Sequence, residues 1–360
     1  MNILKVVTVI GVRPQFIKAA AVSQQFRKAG VREVLVHTGQ HYDYSMNKVF
    51  FEQLGLPKPD YVLPKDGFSC TGWSRICAAA EAVAGILARE CPDWVLVYGD
   101  ANPALSGALA AVRTGIPLAH VEAGLRSGDF RMIEEGNRKV IDRLADILFA
   151  PTETAVKNLN SEGLFRGVYL VGDVMYNVLM ENLPRAADSN ILQKLDLVQG
   201  KYALATVHRA ENVNNPAVLR RILDGLERVA AHLLPVVVPA HPGLSHKLTI
   251  FGLVTNRVRM IDPQPYLDML WLVKNAALVL TDSGGLQKEA CWLQTPCVVL
   301  RNSTEWVETV TSGWADLAGN DPENIFQTAR QQLDNRSRRL ISWQSSAGAA
   351  ARIVDILLSR

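Results

Sequence analysis

The feature that most restricts how this chain can fold is the alternation of short apolar, β-branched runs with helical stretches. VVTVI leads into a helix from about Phe16. VLVH, a helix from Trp73 to Arg89, WVLVY, a helix from Leu105 to Val112, LAHV, a helix from Glu134 to Ala145 and ILFA follow. Strands that are apolar throughout, rather than at every second residue, are covered on both faces, and βαβα order puts them in parallel sheets. After Gly200 the pattern restarts with YALATV, LPVVVPA, VRMI, ALVLT and PCVVL. The chain therefore reads as α/β, with two Rossmann-like, doubly wound domains facing each other across a cleft. A length of 360 residues agrees with two cores of about 150 residues each. The polar stretch from Asp173 to Lys201 reads as the linker, which gives an N-terminal domain over 1–172 and a C-terminal domain over 173–341. The last segment, 342–360, is helical by composition and closes either half.

Composition narrows the function classes. Hydrophobic residues at 48% against 20% charged supply enough apolar surface for packed cores and exclude a disordered chain. A formal net charge of +3 without any Lys/Arg run argues against a nucleic-acid partner. The longest near-apolar stretch, Ala78 to Ala88, is about half a bilayer span and contains Glu81, so no membrane insertion is expected. Lys5 and Arg13-Pro14 interrupt the first apolar run, which reads as a buried strand rather than a signal segment. Five cysteines without a CxxC pair argue against a disulfide framework or a zinc site, so a reduced, cytoplasmic protein with no metal is expected.

Ligands of open parallel sheets bind beyond the carboxyl ends of the strands, where loops and helix N-termini converge. Titratable and polar residues follow the apolar runs in just that position: Arg13, His37 with Gln40 and His41, Asp100, Glu122, His208 with Arg209 and Glu211, His241, and Asp282-Ser283-Gly284-Gly285. Taken singly, an Asp or Ser after a strand is an ordinary helix cap. Seven such sites in both halves point to function. TDSGGLQKEA is the most informative, because a strand, a Ser-Gly-Gly turn and a helix present free backbone N–H groups and a positive dipole end to a phosphate. Glu289, one turn later, is placed to accept from ribose hydroxyls. GxGxxG, Walker A and HExxH patterns do not occur, which favours a nucleotide without a redox role.

These residues carry a resemblance. GVRPQFIK, HTGQHYD, YGD, HVEAGLRS, EEGNR, FAPTE, ATVHRAEN, HP, IDPQPYL, LTDSGGLQKEA and LRNSTEWVE resemble, in that order, the non-hydrolysing UDP-N-acetylglucosamine 2-epimerase family, including the related UDP-2,3-diacetamido-glucuronate 2-epimerases. The resemblance runs from about Ile3 to about Gly319. It implies a fold of the GT-B glycosyltransferase kind, a homodimer, a role in cell-surface polysaccharide synthesis, and a reaction without a cofactor. In that reaction UDP leaves C1 as the C2 proton is removed, and UDP then returns with a proton delivered to the other face. By motif match, Asp100, Glu122, Glu134 and His208 fall on the catalytic positions. Asp100 and Glu122 are assigned to the C2 proton transfers and Glu134 and His208 to UDP departure and return. Arg13 and Lys18 match cations beside the diphosphate. Arg138 orients Glu134 or meets phosphate, with a plain intrahelical ion pair as the other reading. Ser283, Gly284, Gly285 and Glu289 carry over to diphosphate and ribose, and Gln264 to the uracil. Gln40, Arg209 and His241 match a second, activating UDP-sugar site.

The chain also departs from the family pattern at Ala101, Ile133, Gly136, Gly243 and Trp306 and in the loop from Pro64 to Trp73. Four readings remain open. The main one is an epimerase of UDP-GlcNAc and UDP-ManNAc or a close derivative, with the diacetamido-glucuronate substrate as its alternative. The others are a GT-B glycosyltransferase, which does not need Asp100, Glu122 and Glu134, a hydrolysing relative, and a catalytically degenerate nucleotide-sugar binding protein.

Overall fold

The computed structural model describes residues 3–39, 51–64, 72–335, 337–339 and 346–360. They form thirteen strands: β1 Lys5–Ile10, β2 Arg32–His37, β3 Tyr61–Val62, β4 Trp94–Tyr98, β5 Leu118–Val121, β6 Ile147–Ala150, β7 Val168–Leu170, β8 Ala203–Thr206, β9 Val236–Pro239, β10 Arg259–Ile261, β11 Leu278–Thr281, β12 Cys297–Val299 and β13 Ala315–Leu317. One sheet has the order β3-β2-β1-β4-β5-β6-β7 and the other β10-β9-β8-β11-β12-β13. Their paired strands are parallel. In each, the direction of winding reverses between the two central strands, β1 and β4 or β8 and β11, the place where a doubly wound sheet opens a crevice for ligand. The expected α/β class with two doubly wound halves is what is found.

Both cores follow from the apolar strands. In the first, Val7, Val9, Val36, Val95 and Val97 pack with Leu87, Leu105 and Ile141 from the flanking helices. In the second, Ala205, Val236, Val238, Leu278, Leu280 and Val298 pack with Leu219, Ile222, Leu226 and Ile325. The helix Arg13–Ala29 has Pro14 in its first turn and stops at Gly30, whose φ of 70° takes the left-handed turn that ends helices.

The chain packs as two compact units, Met1–Glu181 with Trp343–Arg360, and Asn182–Ser342. The linker expected over 173–201 is occupied instead by the helices Val174–Ala186 and Ile191–Lys194. Val174, Met175, Val178 and Leu179 are buried, an i, i+1, i+4, i+5 stripe that the polar residues downstream concealed. The helical end begins at Ala349 and runs to Leu358. It is tied to the first unit, where Arg352 Nε donates to the Val171 carbonyl at 3.0 Å and the Ala350 amide to Asn177 at 3.2 Å.

Candidate active site

In the first unit the site residues gather where β4 and β5 end. Gly99 turns the chain out of β4 with φ 63°, and a Cβ there would lie 3.0 Å from Glu122 Oε2 and 3.2 Å from Lys18 Nζ. Only glycine gives that room and that backbone together. Lys18, buried on the helix Arg13–Ala29, forms an ion pair with Glu122, and both side chains are about nine-tenths buried. Glu122 has φ 74°, a conformation that costs a residue with a side chain about 1–2 kcal/mol. It is held there because the amides of Glu122 and Ala123 both donate to the Phe149 carbonyl at 3.1 Å.

Asp100 follows Gly99, its side chain 29% exposed. Arg138, on the helix Ile133–Leu144, is almost wholly buried and forks between Asp100 and Glu135, reaching the latter at 2.6 Å. Asn137 donates to the Asp100 carbonyl at 2.9 Å. Glu135 also accepts from the Ser127 hydroxyl at 2.8 Å and the Ser127 amide at 2.9 Å. Arg138 therefore pairs with Glu135 and not with Glu134, contrary to one sequence expectation: positions three and four apart on a helix are both neighbours, but Glu135 shares the buried face with Arg138 whereas Glu134 is only half-buried. The Glu134 side chain has no hydrogen-bond or ion-pair partner among the described residues. Arg13 is half-exposed at the start of its helix.

Behind these groups lies a buried network absent from the sequence reading. His120 on β5 places Nε2 2.8 Å from the Gly99 carbonyl and Nδ1 2.8 Å from Asp142. Asp142 also meets Arg126 at 2.8 Å and the Gly124 amide at 3.1 Å. Burial would raise the Asp142 carboxyl, but His120 and Arg126 outweigh it and hold it below its ordinary value. Arg126 grips Glu162 with two nitrogens at 2.8 and 2.9 Å, and that grip sets Glu162 at about 2. Each polar residue of HVEAGLRS thus has a place: His120 under Gly99, Glu122 at the edge, Arg126 on Asp142, and Ser127 on Glu135.

In the second unit the corresponding edge is that of β8 and β11, whose last residues join through Thr206 Oγ1 and Thr281 Oγ1 at 2.6 Å. His208 is half-exposed and its Nδ1 lies 3.1 Å from the wholly buried Asp282. Ser283 caps the helix Gly284–Trp292, its hydroxyl accepting from the Leu286 amide at 3.3 Å. Gly284 has no space for a side chain, since a Cβ would sit 2.5 Å from Glu305 and 3.1 Å from the Trp306 indole nitrogen. Gly285 follows in the first turn. Glu289 is buried and accepts from the Tyr266 hydroxyl at 3.1 Å. Gln264 lines a cavity of about 540 Å³ with Pro242, Ser245 and Asp262, and its amide donates to the Asp262 carbonyl at 2.7 Å.

The pattern of the family described as UDP-N-acetylglucosamine 2-epimerase matches residues 24–358. The chain belongs to this family. It is 42% identical over 98% of its length to the UDP-N-acetylglucosamine 2-epimerase homolog of Methanococcus maripaludis, of which it covers 99%. It is 42% identical, again over 98% of its length and 99% of the relative, to the UDP-2,3-diacetamido-2,3-dideoxy-D-glucuronate 2-epimerase of Pseudomonas aeruginosa. The crystal structure of Methanocaldococcus jannaschii UDP-GlcNAc 2-epimerase in complex with UDP-GlcNAc and UDP superposes with a TM-score of 0.90 at 36% identity, covering both chains fully. A glycosyltransferase of Rickettsia africae, at 11% identity and a TM-score of 0.58, shares the fold.

The departures from the epimerase pattern have visible settings. Ala101 precedes the helix Asn102–Thr114 without a side-chain cap. Ile133 is exposed, and a side chain at Gly136 would meet open space. The Gly243 amide donates to His241 Nδ1 at 3.1 Å, so His241 caps its own helix. Trp306 is buried, with the Lys288 ammonium 3.8 Å above its ring. Arg209 donates to the Asp282 carbonyl at 3.1 Å and stands 3.6 Å from Glu305. Gln40 lies outside the described residues, as does most of the Pro64–Trp73 loop. Among the described residues no group of three or more His, Cys, Asp or Glu is placed to hold a metal, and no helix is long and apolar enough to cross a membrane.

Proposed function

We propose that this chain is a non-hydrolysing UDP-sugar 2-epimerase that interconverts UDP-GlcNAc and UDP-ManNAc, or a close UDP-HexNAc derivative, by elimination and re-addition of UDP. The observation that carries the reading is the pair of carboxylates at one sheet edge, Asp100 and Glu122, each anchored by its own buried cation, Arg138 or Lys18. The C2 hydrogen is not acidic until the bond from C1 to oxygen breaks and positive charge builds at C1. Inversion then needs one group to take a proton from one face and another to supply a proton to the opposite face. Asp100 and Glu122 are those groups. Glu134 and His208 assist the departure and return of UDP, and Arg13 and Lys18 offset its charge. In the second unit Ser283, Gly284 and Gly285 present amides to the diphosphate, Glu289 takes the ribose and the cavity at Gln264 takes the uracil. Gln40, Arg209 and His241 belong to a second UDP-sugar site in the same proposal, as do a cytoplasmic homodimer and a place in polysaccharide synthesis.

Incubated with UDP-GlcNAc in deuterated water, the protein incorporates deuterium at C2 and yields the manno epimer, both read by NMR. Retention of hydrogen at C2 with every UDP-HexNAc offered would refute the proposal. The 42% identity to the diacetamido-glucuronate epimerase favours a second substrate reading. The same NMR assay run with UDP-2,3-diacetamido-glucuronate separates the two by their relative rates.

A further inference from the structure

Asp282 is wholly buried yet spends its carboxylate on one short segment. Its oxygens accept from the His208 amide at 3.0 and 3.1 Å, the Arg209 amide at 3.0 Å and the Asn212 side chain at 3.0 Å. The same carboxylate meets the His208 ring at Nδ1, 3.1 Å away. The placement follows from the sheet: Thr206 and Thr281 are register partners in β8 and β11, so the residues just beyond them leave the two central strands side by side. Burial alone would push the Asp282 carboxyl up, but His208, the Arg209 amide and Asn212 outweigh it and hold it at about 2. An ionised carboxylate only accepts hydrogen bonds, so Nδ1 of His208 has to be a donor. The ring's other nitrogen, Nε2, has no partner among the described residues.

We propose that Asp282 is a positioning residue that fixes His208 through ring and backbone at once, leaving Nε2 as the atom that exchanges a proton with the diphosphate. This rests on the epimerase reading above and deepens it. As the bond from C1 to oxygen breaks, its electron pair goes to that oxygen and the proton on Nε2 follows, leaving a neutral ring that still carries hydrogen at Nδ1. On return Nε2 takes the proton back while the oxygen attacks C1.

The chain has seven histidines, so nitrogen-15 labelling of histidine alone gives a readable spectrum, with the His208 signal assigned by its loss in His208→Gln. As pH is raised until the ring is neutral, wild-type His208 shows the Nδ1–H tautomer. Asp282→Asn keeps an oxygen for the amides but turns an N–H toward the ring. In that variant His208 shifts to the Nε2–H tautomer, and kcat for C2 exchange falls about 100-fold or more while KM and UDP affinity stay within about threefold. An Nε2–H tautomer in the wild type overturns the proposal, and so does an Asp282→Asn variant whose kcat is unchanged or whose kcat and UDP affinity fall together. If the variant does not fold, the wild-type spectrum decides alone. Absence of C2 exchange in the wild type refutes the epimerase reading instead, and the tautomer measurement stands apart from it.

Discussion

Asp100 and Glu122 sit at the same edge but are held differently. Arg138 and Asn137 grip the side chain and the carbonyl of Asp100, whereas Glu122 is placed by a left-handed backbone and by Lys18. Both are acceptors whose removal leaves a buried cation with one partner fewer, so isosteric amides are the appropriate replacements. Asp100→Asn or Glu122→Gln is expected to lower the rate of C2 exchange by about 10²–10⁴-fold, with UDP affinity by calorimetry nearly unchanged. Weakened UDP binding with intact exchange would reverse the assignment. The residues after strands were legible in the sequence because a doubly wound sheet fixes where loops converge. Glu135 was not, since nothing in the EEGNR motif tells which glutamate faces inward. Arg138, three residues later, and Asp142, seven later, mark the same helical face and supply the signal that finds it.

The helix Ile133–Leu144 shows why such groups escape a reading by hydrophobicity. Glu135, Asn137, Arg138 and Asp142 face inward, while Ile133 is 70% exposed and Val140 41%. Its polarity is inverted because each buried charge has an ionic partner, which replaces the water it loses. The strands β3, β7 and β13, with two or three residues each, were also missed: none presents the continuous apolar run that marked the central strands, and their residues are mostly half-exposed. Turns after strands carry a separate constraint. Gly124 has φ 81°, and a Cβ there would fall 2.4 Å from the Ala155 carbonyl oxygen and 2.8 Å from the Leu159 side chain, whereas at Gly163, with the same φ, a Cβ would meet nothing within 4 Å. Gly163→Ala is expected to cost only the left-handed strain, about 1 kcal/mol. Gly124→Ala adds a backbone clash and is expected to cost roughly 2–4 kcal/mol. Urea denaturation of the two variants measures the difference.

Across the molecule, acid acts on both units through carboxylates held below their ordinary values. Glu162 beside Arg126 in the first unit and Asp282 in the second both stand at about 2. A carboxyl lowered on folding contributes stability above its unfolded value, and that contribution fades as pH falls through the folded value. Unfolding free energy is therefore expected to decline from about pH 5 toward pH 2. Asp282 supplies roughly 2 kcal/mol of the loss, and Asp282→Asn flattens the profile in that window, as urea midpoints taken at stepped pH would register. No such decline, or an unchanged profile in the variant, would contradict the electrostatic account. The two-sheet architecture was legible because buried parallel strands write themselves as apolar runs. The passage between units was not, because the helix Val174–Ala186 puts its apolar stripe just ahead of polar sequence.

The C-terminal helix Ala349–Leu358 belongs with the first unit although the whole of the second lies between them in the chain. During synthesis on a ribosome, the later-encoded unit thus has its full complement of residues before the earlier one does. The helix Ala349–Leu358 packs on the helix Arg13–Ala29, so the nascent first unit waits with that face of Arg13–Ala29 uncovered until the later segment emerges.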